Sequence, residues 1–184
     1  MVRFNFKGAN MYYQIIGDSE NFANFLPSNY TQKLADKFNG RVLSKGWEVL
    51  HFDLVDKKDG RPIPEIITGY IPICSRRIYE RIKEDCKGCV EFLPCTVGDK
   101  NMEYFLFNIL VTKDTIDYDK SIYKRFPSTG RIMLFNKIVF TSKVETPLFR
   151  ISDLPYTYFF CTEEFKQLLE STNAKGIIFS NDMF

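Results

Sequence analysis

With 184 residues, 45% of them hydrophobic and 26% charged, the chain has the size and make-up of one soluble domain, whose core needs no disulfide or metal staple. Its 25 basic and 23 acidic residues leave a net charge of +2, which excludes long-range attraction as the basis for binding nucleic acid or an anionic membrane. No stretch approaches the ~18 apolar residues of a membrane span, and MVRFNFKGANMYY lacks the apolar run of a secretory signal, so a cytoplasmic protein is expected. Val2–Phe6 alternates apolar and polar residues and Tyr12–Ile16 is a short apolar run; both are candidate strands. Asn21–Leu26 reads as an aromatic loop. The spacing of Tyr30, Leu34 and Phe38 predicts a short helix over Asn29–Phe38, stopped at Asn39-Gly40. Strand residues Trp47, Val49, Phe52 and Leu54 follow, with a bulge or bend expected at Leu50-His51. A turn is expected at Lys57-Lys58-Asp59-Gly60 and a short strand from Glu65 to Tyr70.

Ser75 caps a predicted helix from Arg76 to about Asp85, with Ile78 and Ile82 as its buried stripe. Val90, Phe92 and Leu93 open a strand in which Pro94 requires an edge or a bulge. Tyr104–Val111 has the length and apolarity of a central strand covered on both faces, and Asn108 within it must be hydrogen-bonded if buried. Lys113–Arg125 is polar, and its aspartates lack the offsets of a calcium loop, so it reads as a structural loop. After a turn at Phe126–Gly130, Arg131–Thr141 is either one bent strand or a tight hairpin. Strands are expected at Leu148–Ile151 and Tyr156–Cys161. Thr162 then caps a helix with Glu163 and Glu164 in its first turn and a stripe of Phe165, Leu168 and Leu169, and Gly176 releases the chain into Ile177–Phe179. Without strict β-α-β alternation, the fold class is α+β: a mostly antiparallel sheet with a few short helices and a C-terminal strand-helix-strand unit. A single domain over 1–184 is expected.

Little of this chain looks catalytic. There is no GxGxxG, GxxxxGK[ST], HExxH or GxSxG, and one histidine, His51, is too few for schemes that need histidine pairs. No enzyme activity and no cofactor are expected. Five cysteines without a secretory signal read as buried free thiols. Cys86-Lys87-Gly88-Cys89 is a CxxC, yet Cys95 and His51 do not complete a regular zinc set, and a redox pair would open a helix rather than follow one. Arg76, Arg77, Arg81 and Lys83 make the first helix (76–84) basic. They form a solvated face or, as an alternative, a grip for phosphate or nucleic acid. The 18 Phe and 10 Tyr fit a β-rich core or an aromatic partner-binding face.

From Ile73 onward the order of features resembles a family of immunity proteins, numbered eleven, from bacterial polymorphic toxin systems. The resemblance rests on the Ser-led helix Ser75–Glu84, VEFLP at Val90–Pro94, EYFLFNIL at Glu103–Leu110, Asp117 and Ser121 in an Asp-x-x-x-Ser step, LFR at Leu148–Arg150, and the closing FKQLLES and AKGIIF. It is best over 73–184 and looser over the first 70 residues. It implies a non-enzymatic cytoplasmic inhibitor whose partner is a cognate protein toxin, and it carries no catalytic or metal residues. It also implies architectural roles for Gly176 and Phe149. Asp117, Ser121 and Arg150 are expected to pair with one another inside the fold or, for Asp117 and Arg150, to touch the partner. Tyr118, Tyr123 and Phe126 in and beside the polar loop are the candidate anchors for that partner.

Overall fold

A strand with apolar residues on both faces needs cover on both sides of its sheet, and the described residues supply it with two sheets, two short helices and a hairpin. The computed structural model describes residues 11–29, 31, 34, 36–55, 60–69, 71–154 and 159–184. In chain order the strands are β1 Tyr12–Gly17, β2 Phe25–Pro27, β3 Leu50–Leu54, β4 Ile66–Ile67, β5 Ile73–Ser75, β6 Val90–Val97, β7 Met102–Ile109, β8 Thr112–Lys113, β9 Ile122–Arg125, β10 Ile132–Lys137, β11 Leu148–Ile151, β12 Phe160–Thr162 and β13 Ile177–Ser180. The helices are α1 Arg76–Ile82 and α2 Glu163–Ser171. The expected α+β class with a C-terminal strand-helix-strand unit is what forms. The strand over Val2–Phe6, most of the helix over Asn29–Phe38, the turn at 57–59 and the first part of the Tyr156–Cys161 strand lie outside the described residues.

One sheet has six strands in the order β2-β3-β6-β7-β5-β4; the other has five, β13-β1-β12-β11-β8; β9 and β10 form a separate two-stranded ribbon. Pairing is antiparallel except at β3–β6 and β8–β11. The N-terminal strand β1 lies between β12 and β13 from the far end of the chain. Strand alternation sorts the interior into layers. Phe107 and Ile109 of β7 join Ile78 and Ile82 of α1, Phe165 and Leu169 of α2, and Leu148 of β11 in a core between the sheets. Tyr104 and Leu106 point the other way, to Phe38, Phe52, Leu93 and Val97. On the outer face of the five-stranded sheet, Phe149, Ile151 and Phe160 pack against Ile132 and Phe135 of the ribbon. Much of the aromatic content sits there: Tyr12 meets the rings of Phe140 and Phe149 edge-on, and Phe184 stacks on Phe140.

Both helix starts follow from local chemistry. Ser75 Oγ accepts from Ile78 N, and Thr162 Oγ1 accepts from Phe165 N at 3.5 Å. The α1 helix stops at Ile82, short of the expected Asp85, and continues as turns through Cys89. Gly176 has φ +100°, and a Cβ there would stand 2.2 Å from Pro64 Cβ and 2.6 Å from Ile66 O, so glycine lets β13 leave the helix hard against β4.

Several expectations are corrected. Asn21–Leu26 is not wholly loop, because Phe25–Pro27 pairs with Phe52–Leu54 as an edge strand. The register break at Leu50-His51 is where β3 begins; Trp47 lies before it and donates its indole N–H to Pro94 O at 2.9 Å. The Glu65–Tyr70 strand shrinks to two residues. Pro94 sits, as expected, where part of β6 is an edge: β3 pairs with β6 only from Cys95 onward, so the missing N–H falls just before the ladder needs it. Of Arg131–Thr141 only Ile132–Lys137 forms a strand, β10, with bulges after Ile132 and Phe135; Ile138 and Val139 lie beyond it, and Phe140 bridges to Ile116.

The segment from Phe38 to Trp47 lies over the six-stranded sheet and is pinned by buried polar groups. Asn108, fully buried, donates to Arg41 O and to the Glu91 carboxylate. Glu91 also accepts from Leu43 N at 2.7 Å and Ser44 N at 2.9 Å. Burial opposes ionisation of Glu91, but these donors outweigh it and hold the carboxyl below its ordinary range. The Asn108 amide nitrogen is therefore bonded as expected, while its Oδ1 finds no partner among the described residues.

Candidate partner-binding surface

The ribbon β9–β10 is joined by a turn in which Gly130 N and Thr129 N reach back to Phe126 O, with Gly130 at φ +68°. Its inner face is apolar: Tyr123 lies opposite Phe135, and Ile132 and Phe135 are buried. Tyr118 meets Tyr123 edge-on at 5.9 Å and donates its hydroxyl to Asp153 at 2.6 Å. Burial and the Asp153 carboxylate push the Tyr118 phenol up. Arg125 stacks over Tyr123 at 4.9 Å and donates to Gly130 O. Phe126, 46% exposed, stands at the tip, while Tyr123 is half-buried. The structure thus brings Tyr118, Tyr123 and Phe126 onto one projecting element.

Asp117 and Ser121 sit at its base. Lys120 Nζ donates to Asp117 Oδ2 at 2.7 Å, and that bond lowers the carboxyl. Asp117 N donates to Val139 O, and Val139 N donates to Ser121 Oγ at 2.9 Å. The Asp-x-x-x-Ser step therefore clamps the strand leaving the ribbon. Arg150 is distant from both in role: it is fully buried, donates to Phe38 O and lies over the Phe159 ring. Asp117, Ser121 and Arg150 are each answered by other groups, not by one another.

Sequence reasoning passed over two exposed residues on this ribbon, Ile122 and Met133. An apolar residue in a strand reads as core; Met133 points outward because it follows the buried Ile132, and the bulge between Ile132 and Leu134 then lets Phe135 face inward, which no residue pattern announces.

The basic helix is different. Arg76 forms a two-pronged pair with Glu103, Arg77 Nε and Nη2 bond Glu65 at 2.5 and 2.6 Å, and Lys83 bonds Glu80 at 2.6 Å. Arg77 also donates to Thr172 O, tying α1 to the end of α2. All five cysteines are free and buried. Burial pushes Cys95 up to about 12 and raises Cys74 and Cys161; Cys86 is raised first by its bond to Cys89 and then by burial. His51 Nδ1 lies 2.8 Å from Thr96 Oγ1, on the opposite face of β6 from Cys95. Among the described residues no three His, Cys, Asp or Glu side chains are placed to hold a metal ion, and no helix is long and apolar enough to cross a membrane. Three clefts, about 420 Å³ beside Tyr12 and Phe140, about 390 Å³ beside Phe25 and Met102 and about 280 Å³ beside Thr162 and Phe165, contain neither a cysteine nor His51 in their walls.

No curated protein matches the chain. The model of the immunity protein family (Imm11) matches residues 27–182, reaching well upstream of the motifs that begin at Ile73. Spanning both sheets, both helices and the ribbon, that match shows that the chain belongs to the immunity protein family (Imm11).

Proposed function

We propose that this protein neutralises a cognate bacterial toxin by binding it in the cytoplasm, as a stoichiometric inhibitor without catalysis of its own. The observation that carries the reading is the family match over 27–182. Its chemistry agrees: all five thiols are buried, four of them raised and Cys89 lowered chiefly by its bond with the neighbouring Cys86, and the lone histidine is engaged by Thr96. Inhibition then comes from covering a toxin surface of ordinary interface size, on the order of 1,600 Å² in total. The phosphate-gripping alternative for α1 is weakened because Arg76, Arg77 and Lys83 are already bonded to glutamates. A thiol or zinc role for Cys86 and Cys89 is weakened by their burial against α1 and β6.

The test is co-expression with the toxin encoded by the adjacent gene. Restored growth with a co-purifying one-to-one complex supports immunity. Growth arrest that this protein does not relieve, with no complex, removes that toxin as its partner and the reading with it.

A further inference from the structure

Residues 120–143 contain Lys120, Lys124, Arg125, Arg131, Lys137 and Lys143 and no aspartate or glutamate. Six of the 25 basic residues and none of the 23 acidic ones therefore fall in this segment, so the rest of the chain is net negative. Lys120 is answered by Asp117 and Lys143 by Glu145 at 3.9 Å. Lys124, Arg125, Arg131 and Lys137 are all exposed on the ribbon β9–β10 and have no acidic partner among the described residues. Cross-strand neighbours in a ribbon ordinarily offset charge with charge. Here Lys124 faces Leu134, Arg125 faces Ile132 and Lys137 faces Ile122. The cations contribute no ion pair to the ribbon, and their mutual repulsion opposes it.

Set among them are exposed apolar side chains: Ile122 at 59%, Phe126 at 46% and Met133 at 38%. An apolar centre with a charged surround is how a protein–protein interface is built. A nucleic-acid backbone is gripped by cations and polar groups, and exposed aliphatic side chains such as Ile122 and Met133 would add nothing to it. In a two-fold contact with a second copy, like charges would oppose one another. We infer that the outer side of the β9–β10 ribbon is the toxin-binding surface and that it recognises an acidic protein face with an apolar centre. This rests on the immunity reading. The four cations steer association, and the apolar residues, Phe126 foremost, slow dissociation.

The experiment measures association and dissociation rates with the toxin from the adjacent gene at low and high salt. It uses the intact protein, a variant combining Lys124→Gln, Arg125→Gln, Arg131→Gln and Lys137→Gln, and a variant combining Ile122→Ala and Phe126→Ala. All are exposed positions, and circular dichroism checks that each variant is folded. The wild-type association rate is expected to fall about tenfold or more with salt, and the charge variant to start about tenfold lower and lose that dependence. The apolar variant is expected to dissociate at least about tenfold faster with its salt dependence intact. Wild-type rates in both variants overturn this surface while the immunity reading stands. No complex with wild-type protein removes both together. Salt-sensitive binding of a short DNA duplex, lost in the charge variant while toxin binding is unchanged, assigns the patch to nucleic acid instead. A wild-type dimer that the apolar variant disperses, with toxin binding unchanged, assigns it to self-association.

Discussion

Helix α1 and the ribbon β9–β10 are both basic, yet they use their charge oppositely. On and just after α1 three of four cations are answered by acids within the chain: Arg76 by Glu103 on β7, Arg77 by Glu65 beside β4 and by the end of α2, Lys83 by Glu80, while Arg81 forms no ion pair among the described residues. On the ribbon none of the four is paired with an acid: Lys124, Arg131 and Lys137 face apolar residues or solvent, and Arg125 stacks on Tyr123 and donates to Gly130 O. Arg150 is the extreme of the first kind, an arginine wholly inside the fold and bonded to Phe38 O. A basic residue count thus says little until each cation's partner is known. Those with internal partners hold elements together, and those without are available to another molecule.

The contrast is sharpest at Arg150. Arg150→Ala removes a buried side chain and leaves Phe38 O without that donor, and a loss of about 3–5 kcal/mol is expected, read as a lower urea midpoint. Such a loss is a large share of a domain's stability; a midpoint close to wild type would show that the segment over the six-stranded sheet is held by packing alone.

Next comes the carboxylate that pins the same segment. Glu91→Gln weakens the bonds from Leu43, Ser44 and Asn108, with an expected cost of about 1–3 kcal/mol at neutral pH. Because the folded-state value of Glu91 lies below its ordinary 4.5, its contribution is fully present above that value. It fades as pH falls through the lowered one, where protonation removes the acceptor. Urea titrations across this acidic range should show the wild type losing more stability than Glu91→Gln. Parallel curves would remove Glu91 as the source.

On α1, Arg77→Ala is expected to cost no more than about 1 kcal/mol, since its side chain is half exposed and solvent screens the pair with Glu65. Thermal melts at low and high salt would show that difference narrowing with salt. The smallest effect on stability belongs to the ribbon. Neutralising Lys124, Arg125, Arg131 and Lys137 together should leave the melting temperature unchanged or slightly raised, since repulsion is relieved, while toxin association slows. A marked drop in melting temperature would break the comparison by showing that the stack of Arg125 on Tyr123 and its bond to Gly130 O outweigh the repulsion relieved.

Much of the local architecture was legible in the residues. Ser75 and Thr162 mark both helix starts because a side-chain oxygen before an apolar stripe has few other uses, and Gly176 marks the exit into β13. The apolar run at Tyr104–Val111 announces a strand covered on both faces, which β7 is. The order of short motifs from Ser75 to Phe179 pointed to the family. The failures cluster where meaning depends on a distant partner. Ile122–Arg125 read as part of a polar loop until β10 is found paired with them. Asp117, Ser121 and Arg150 look like one polar set until Lys120, Val139 and Phe38 are found beside them.

Periodicity, capping residues and turn glycines act through neighbours a few positions away, so the sequence alone determined the helices, most strands and the α+β class. Long-range pairing has no such local signature. That β1 is gripped between β12 and β13, that Glu103 neutralises Arg76, and that a bulge in β10 brings Phe135 inward were decided only when the chain closed on itself. Which charges and which apolar residues remain for a partner is what the closed fold leaves over, and only the tertiary structure could decide it.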